Sequence, residues 1–216
     1  VISPMIAKHN DEVMMNEQLF NRVKTVWDNK SKENLNEEQE MLLTKTYKKF
    51  LRSGALLDNS HKDALKKVNE EITKLETKYN ANVLAQTKSY QLVISNKKDL
   101  SGLPQWLVDA ASETAKEAGK TGKYVFTLDN SSCLPFLTFA DNRKLREEIF
   151  TARINRCNNK DQYDNNKITE QLLTLRAKKA TLLGYKTFAD YQLEDRMAKT
   201  PQRADKLLKD CLGYSI

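Results

Sequence analysis

Two histidines, His9 and His61, are the only imidazole side chains among the 216 residues. Neither lies in an H-E-x-x-H sequence, which would place two imidazoles one turn apart on a helix with a carboxylate between them. No third histidine and no C-x-x-C pair is available to complete the ligands of a zinc site. The sequence therefore predicts no metal ligand and no bound cofactor in this chain.

The three cysteines, Cys133, Cys157 and Cys211, are widely spaced along the sequence. An odd number without a disulfide pattern indicates reduced thiols and favours the cytoplasm as the compartment. A small buried apolar side chain is the simplest role for each of them. A nucleophilic pair of Cys133 with His61 would depend on spatial proximity, and nothing in the sequence favours it. No G-x-S-x-G is present either, so no catalytic residue is predicted.

The sequence G-K-T-G-K at residues 119–123 contains part of a phosphate-binding loop. A Walker A sequence needs glycine at the position of Thr114, and its loop leads from a strand into a helix rather than the reverse. Adjacent glutamates also occur on predicted helices, where a solvated helix face explains them without a shifted pKa. These pairs are Glu37-Glu38, Glu70-Glu71 and Glu147-Glu148. No cofactor-binding residue is predicted from either pattern.

The charged residues also limit the partners of the chain. The net charge of +7 comes from 36 basic and 29 acidic residues, and the two signs alternate along the predicted helices without a concentrated basic patch, which argues against nucleic acid. No run of 18 apolar residues indicates a membrane span. The chain begins without methionine or a signal peptide, so we expect a portion of a longer protein.

Apolar residues at steps of three and four predict a mainly α-helical fold. The clearest stripe runs from Leu65 to Val83 behind a cap at Ser60, and Leu207, Leu208 and Leu212 are expected to face inward on the last helix. The other predicted helices cover residues 15–29 (capped by Asn16), 36–51 (with an Asn36–Gln39 capping box), 104–116, 141–150 (capped by Asp141), 163–184 and 188–196, and the last begins at Thr200-Pro201.

Two short runs rich in β-branched and aromatic residues, at 90–94 and 124–128, predict a pair of strands. No fixed-period repeat or low-complexity linker interrupts the chain. The predicted fold is therefore a helical bundle with a small two-stranded β insertion. We expect residues 1–216 to form a single helical body rather than two separable domains.

Several local sequences then point to a family. L-R-A-K-K-A-T-L-L-G-Y at 175–185 precedes F-A-D-Y at 188–191 and R-M-A-K-T-P at 196–201. This order resembles the zinc metallopeptidases of the thimet oligopeptidase, oligopeptidase A and peptidyl-dipeptidase (dipeptidyl carboxypeptidase) type, with a helix ending in L-L-G-[YF], a short helix and M-A-x-T-P. The peptidyl-dipeptidase branch is the most similar. Weaker similarity covers residues 16–23, 50–55, 65–84 and 141–147.

The resemblance implies an enzyme that cleaves short peptides in a deep channel between two helical halves. In this family an H-E-x-x-H helix and a downstream glutamate hold zinc, which polarises the scissile carbonyl and activates water. Those residues follow the equivalent of Pro201, so the resemblance implies a truncated N-terminal portion without the catalytic half, and no catalytic residue is carried over. Its partners would be the C-terminal catalytic half of the same protein and short peptide substrates.

Two functional hypotheses follow from the sequence. The first is a non-catalytic wall of the channel in a peptidase that removes C-terminal dipeptides, and the second is a stand-alone helical interaction module. An H-E-x-x-H sequence farther along the reading frame would discriminate between them. We expect this chain alone to show no peptidase activity, to bind no zinc and to expose apolar surface where the catalytic half would dock.

Overall fold

The computed structural model describes residues 2–215, which fold mainly into α-helices. Between them lie two strands and two short 3-10 turns, at Lys30–Lys32 and Lys97–Leu100. The helices are α1 (Ser3–Met14), α2 (Glu17–Asp28), α3 (Glu37–Arg52), α4 (Asn59–Ser89), α5 (Gln105–Glu117), α6 (Asn130–Phe139), α7 (Arg143–Ile154), α8 (Asn166–Leu182), α9 (Phe188–Leu193) and α10 (Pro201–Gly213). The predicted fold class is confirmed. Among the described residues, no helix has the length and apolar content to cross a bilayer.

The described chain divides into two compact units. The first contains the residues up to Thr77 and those from Glu170 onward, and the second is Lys78–Thr169. The helices α4 and α8 each contribute residues to both units. The expectation that residues 1–216 form a single helical body stays a prediction, because apolar periodicity identifies a buried helix face but not the elements that share its core.

In the second unit, strands β1 (Leu92–Ile94) and β2 (Tyr124–Phe126) form the predicted pair; they run antiparallel, with Leu92 opposite Phe126. Their inward side chains pack against α5, α6 and α7 in one apolar core. The buried members of that core are Leu92, Ile94, Leu107, Ala111, Phe126, Leu128, Cys133, Phe136, Ala140 and Ile149. Since Phe126 and Phe136 are fully buried with ring centroids 4.6 Å apart, they occupy its centre.

In the first unit, α2 and α3 pack through aromatic rings. Phe20 lies against both Tyr47 and Phe50, and Trp27 stacks on Tyr47 with the ring centroids 4.5 Å apart. The first half of α4 buries Leu65, Val68 and Ile72. This apolar face of α4 is the stripe that the sequence predicted.

Two helix starts confirm the predicted caps at Asn16 and Asn36, and a third confirms a predicted start. The Asn16 side chain accepts from the third backbone N–H of α2, and Thr200 does the same for α10, which begins at Pro201 as predicted. Asn36 and Gln39 form a reciprocal capping box, with N–H to O distances of 2.9 and 3.0 Å. These side chains satisfy N–H groups that have no partner inside the helix.

Two other predicted caps are wrong by one or two positions. The α4 cap is Asp58 rather than Ser60, because the Asp58 carboxylate accepts from the His61 backbone N–H at 2.9 Å. The α7 cap is Asn142 rather than Asp141, whose carboxylate accepts from a serine hydroxyl instead. Neighbouring polar residues of this kind can all cap a helix, so sequence alone does not fix which one does.

The prediction that α10 faces inward is also wrong. Leu207, Leu208 and Leu212 are 62%, 69% and 58% exposed. Their spacing makes α10 amphipathic, but no described element of the first unit covers this apolar face. The Thr200 side chain caps the start of this helix, while its leucine side chains remain open to solvent.

Candidate functional site

The two histidines lie on the surface of the first unit. His9 is exposed on α1, and His61 is in the first turn of α4 with its Nδ1 2.7 Å from Asp58 Oδ2. These contacts to His61 hold the pKa of Asp58 below its usual value. Within residues 2–215, no group of three or more His, Cys, Asp or Glu side chains is placed to hold a metal ion. The described residues therefore do not fit a zinc site.

The cysteines differ in their exposure. Cys133 and Cys157 are buried, whereas Cys211 is exposed on α10. Burial raises the pKa of the Cys133 and Cys157 thiols, and the guanidinium of Arg153 beside Cys133 only partly opposes this. Since a nucleophilic cysteine needs an accessible thiolate, Cys133 is placed as a core residue. The ring of His61, its hypothetical partner, is held by Asp58.

The G-K-T-G-K sequence forms the turn between α5 and β2. Gly119 ends α5 with a positive φ of 69°, and the Lys120 backbone N–H donates to the Ala115 carbonyl at 2.7 Å. The Lys120 ammonium also contacts the Gln91 side chain. The backbone N–H of Lys120 closes the end of the helix, and its ammonium holds the turn. The sequence therefore forms a loop, as its position between a helix and a strand predicted.

The residues that carried the family resemblance form the end of α8, the first four residues of α9 and the segment that leads into α10. Gly184 follows α8 with a φ of 79°, and the Tyr185 N–H returns to the Ala180 carbonyl at 2.9 Å. Thr187 then caps α9 by accepting from the Asp190 N–H. The L-L-G-Y sequence is therefore a helix stop followed directly by a helix start.

A set of polar contacts fastens α9 to the end of α3. The Arg52 guanidinium binds the Glu194 carboxylate, donates to the Tyr191 carbonyl at 2.6 Å and lies 4.5 Å from the centre of the Tyr191 ring. The Tyr185 hydroxyl donates to Glu194 at 2.5 Å. Burial, together with this carboxylate, raises the pKa of Tyr185 to about 12. The cluster therefore holds α9 rather than presenting a group ready to titrate at neutral pH.

A polar cleft of ≈ 520 Å³ lies between α1, α4, α8 and α9 in the first unit. Asp11 of α1 reaches into it and is only 8% exposed. The Asn69 side-chain amide donates to both Asp11 carboxylate oxygens at 3.0 Å. The Lys179 side chain of α8 also lines the cleft. The site therefore contains a buried acid and a base from helices that are far apart in sequence.

The cleft contains two acidic and two basic side chains, but among the described residues only one acid and one base form an ion pair. Arg176 and Glu76 form an ion pair at 2.9 Å, whereas Lys179 forms no ion pair within 4.0 Å among residues 2–215. Burial raises the pKa of Asp11 and lowers the pKa of Lys179, and each charge partly offsets the shift of the other. We call the residues Asp11, Asn69, Glu76, Arg176 and Lys179 the charged cleft.

Sequence reasoning missed the charged cleft for a physical reason. Asp11 and Asn69 are 58 positions apart, and each is an ordinary polar residue on a helix with other polar residues beside it. The available signal was weak, since Asp11 falls on the α1 face that also carries Ala7 and Met15. Only the packing of α1 against α4 shows that this carboxylate is buried.

Comparison with known proteins adds an independent finding. Residues 136–213 match Peptidase family M3. The chain is also 32% identical to a probable cytosolic oligopeptidase A of Arabidopsis thaliana, in a match that covers 96% of the chain. It is 32% identical over 208 residues, again 96% of its length, to the dipeptidyl carboxypeptidase of Escherichia coli. This chain is a relative of the M3 peptidases.

The similarity extends to bacterial oligopeptidases. The oligopeptidase A of Haemophilus influenzae is 29% identical, in a match that covers 93% of this chain. The M3 relatives are much longer, however, and the chain spans only about 30% of the length of each of these three. The matched region 136–213 includes the L-L-G-Y and M-A-K-T-P sequences that carried the resemblance.

Proposed function

We propose that this chain is a non-catalytic portion of a zinc metallopeptidase that removes C-terminal dipeptides from short peptides. The observation that carries the proposal is the similarity to M3 peptidases over 96% of the chain, including a dipeptidyl carboxypeptidase. The oligopeptidase A relative is equally similar, at 32% identity. The dipeptide specificity is therefore the part of the proposal that most needs an experiment.

The zinc of this proposal would belong to another part of the longer protein, because the described residues do not fit it. When bound there, zinc polarises the scissile carbonyl and activates a water molecule. The role proposed for this chain is to form one wall of the channel that admits short peptides. Such a wall would shape the channel and exclude folded proteins from it, and it would supply no catalytic group.

The exposed leucine face of α10 supports a partner within the same protein. Leu207, Leu208 and Leu212 form an apolar stripe on one side of this helix, and such stripes are usually covered. We assign the catalytic half of the same protein as the occupant, since the relatives are more than three times as long as the matched region. Three free cysteines agree with a reducing compartment, so we place the protein in the cytoplasm.

Two measurements test this proposal. The first is the reading frame beyond Ile216, where we expect an H-E-x-x-H sequence. The second compares the longer protein with the 216-residue chain on a short unstructured peptide, with the products identified by mass spectrometry. We expect stepwise loss of C-terminal dipeptides from the longer protein alone, inhibited by a chelator and restored by zinc.

The other outcomes discriminate between the hypotheses. Internal cleavage by the longer protein would retain the peptidase but remove the dipeptide specificity. Zinc-dependent cleavage by the 216-residue chain itself would overturn the non-catalytic role. A frame that ends without H-E-x-x-H would favour the second hypothesis, a helical interaction module, for which the uncovered α10 leucines are the supporting observation.

A further inference from the structure

The outer edge of strand β1 presents backbone groups that point away from its partner strand. Leu92 of β1 lies opposite Phe126 of β2. The Thr127 N–H, one position after β2, donates to the Ser132 hydroxyl at 3.0 Å and is therefore not bonded to β1. Because backbone groups alternate between the two sides of a strand, Phe126 bonds to Leu92, and Val93 directs its N–H and C=O away from β2.

The outward groups of Val93 have no partner in the described part of the chain. Among residues 2–215, the backbone of 91–95 forms no hydrogen bond outside the β1–β2 pair, and the Lys120 ammonium contacts only the side chain of Gln91. Gln91 and Ser95 are exposed, and Val93 between them is partly exposed. The backbone along this edge is therefore free to pair.

The second strand of the sheet is covered where β1 is open. Val93 and Val125 lie opposite each other and share one face of the sheet. Val125 is only 1% exposed, whereas Val93 is partly exposed. The helices α5 and α6 also pack against β2. Since the cover of this sheet lies over β2, β1 is its free edge strand.

A free edge strand is usually protected in a complete protein. Charged side chains, proline, bulges or a very short strand keep such an edge from pairing with another chain. Apart from its length of three residues, β1 has none of these features, since Leu92, Val93 and Ile94 are apolar and pair with β2 in unbroken register. A sheet of two strands is also marginal, and about four to six strands are typical. These features favour a further strand on the outer edge of β1.

We propose that the outer edge of β1 receives a third strand from the catalytic half of the same protein. One residue of that strand pairs with the N–H and C=O of Val93, and its apolar neighbours extend the core beside Leu92 and Ile94. The M3 relatives that match this chain are more than three times as long, which leaves ample chain to supply the strand. The identity of the partner rests on the proposed function, but the open edge does not.

A strand of the same protein fits this edge better than a transient ligand or a second copy does. A short peptide would leave the edge open between binding events, and a second copy would leave it open in dilute protein. A strand in the same chain has a high effective concentration at all times. It therefore protects an apolar edge that carries no charge or proline of its own.

Hydrogen exchange of single backbone N–H groups tests the proposal. The natural protein, at the length that its reading frame encodes, is compared with the 216-residue chain by mass spectrometry with electron-transfer fragmentation. We expect the Val93 N–H to exchange at least about tenfold more slowly in the longer protein, because the third strand must open first. The Leu92 and Ile94 N–H groups face β2 and are internal controls, which should exchange slowly in both proteins.

Two variants separate the backbone of Val93 from its side chain. Val93→Pro removes the outward N–H, whereas Val93→Ala keeps it and shortens the side chain. Because an edge strand tolerates proline where its nitrogen faces solvent, both variants should lower the unfolding midpoint of the 216-residue chain to a similar extent. In the longer protein, Val93→Pro should lower it further than Val93→Ala does. If Val93→Pro does not fold, the exchange rate of Val93 in the wild type decides the result.

Several results would overturn the proposal. Fast exchange of the Val93 N–H in the natural protein would show that the edge stays open, including in a protein whose reading frame ends after residue 216. Protection that depends on protein concentration would assign the edge to a second copy, and protection only with an added unstructured peptide would assign it to a ligand.

The same measurement separates this proposal from the peptidase function. Fast exchange of the Val93 N–H in a longer protein that contains H-E-x-x-H and cleaves peptides would overturn the third strand and retain the peptidase. Slow exchange of this N–H in a longer protein without peptidase activity would overturn the proposed function and retain the third strand.

Discussion

Asp11 in α1 and Asn69 in α4 are joined through one side-chain NH₂ group, whose nitrogen lies 3.0 Å from each carboxylate oxygen. Asp11 is the buried polar residue of α1, whereas Met5 and Ile6 on the same helix are 71% and 62% exposed. The first helix is therefore attached to α4 through a polar contact between these two side chains. This arrangement makes Asn69 important for the stability of α1.

Removal of the Asn69 amide should destabilise the protein. In Asn69→Ala the buried Asp11 carboxylate loses its side-chain donor, which typically costs about 1–3 kcal/mol. Urea unfolding followed by circular dichroism measures the change. Asn80→Ala removes an exposed amide from the same helix and should change the free energy of unfolding by about 0.5 kcal/mol or less. Equal effects of the two variants would contradict the assigned role of Asn69.

The buried Asp11 carboxyl also predicts a pH dependence. Burial raises its pKa in the folded protein above the ordinary value, against the opposing charges of Lys179 and Lys66. The folded state therefore binds the proton of the Asp11 carboxyl more tightly than the unfolded state does. The protonated carboxyl contributes fully to stability below the ordinary pKa, and this contribution is lost as the pH rises through the pKa of the folded state. Relative to Asp11→Asn, the wild type should lose stability as the pH rises above about 4, the ordinary pKa of an aspartate. Parallel curves for the two proteins in urea unfolding would show that Asp11 does not titrate in this way.

Much of the fold was predictable because its signals are local. The α4 stripe and the β-branched runs around Val93 and Val125 determine element type through periodicity, and the structure has these elements. The caps at Asp58 and Asn142 were missed because several adjacent side chains can accept the same N–H groups. The α10 leucines were misplaced since a stripe shows that a face is apolar but not whether anything covers it.

The capping box at the start of α3 is a local signal that can be tested directly. Asn36→Ala removes the side-chain acceptor for the Gln39 N–H, and loss of such a cap costs about 0.5–2 kcal/mol. Thermal or urea unfolding should show this loss. Lys45→Ala, at an exposed position of the same helix, is the control and should be close to neutral. A neutral Asn36→Ala would mean that water or Gln39 satisfies the helix end equally well.

The charged cleft was less predictable than the fold because it is built from long-range contacts. Asp11, Asn69 and Lys179 come from three helices, and none belongs to a short sequence pattern with known chemistry. The contacts between Arg52 and Glu194, 142 positions apart, illustrate the same limit. Sequence reasoning identified the family through the L-L-G-Y and M-A-K-T-P sequences, but it could not show that Glu194 fastens α9 to α3.

The core of the second unit depends strongly on Phe126. This side chain is fully buried between β1, α5 and α6, so Phe126→Ala leaves a cavity and should cost about 3–5 kcal/mol. Phe139→Ala is the matched control, since that ring is 46% exposed on α6 and should cost about 1 kcal/mol or less. Denaturant unfolding of both variants measures the difference. Similar losses in the two variants would contradict the placement of this core.

The three cysteines should separate into one reactive thiol and two protected ones. Cys211 is exposed on α10, whereas Cys133 and Cys157 are 0% and 5% exposed. Burial also raises the pKa of both protected thiols, which lowers their thiolate fraction at neutral pH. Alkylation of the native protein, located by peptide mass spectrometry, should therefore modify Cys211 first. The other two should react only at the rate of unfolding.

Two variants make this thiol test specific. Cys211→Ser should abolish the fast alkylation while leaving the slow reaction and the unfolding transition unchanged, because the side chain at this position is exposed. Cys133→Ser places a more strongly hydrated hydroxyl in the apolar core and should lower the unfolding midpoint, by less than the roughly 1–3 kcal/mol of an unpartnered buried hydroxyl because the Arg153 guanidinium lies beside it. Fast native alkylation at Cys133 would instead show that the β1–β2 core opens readily, in conflict with its burial.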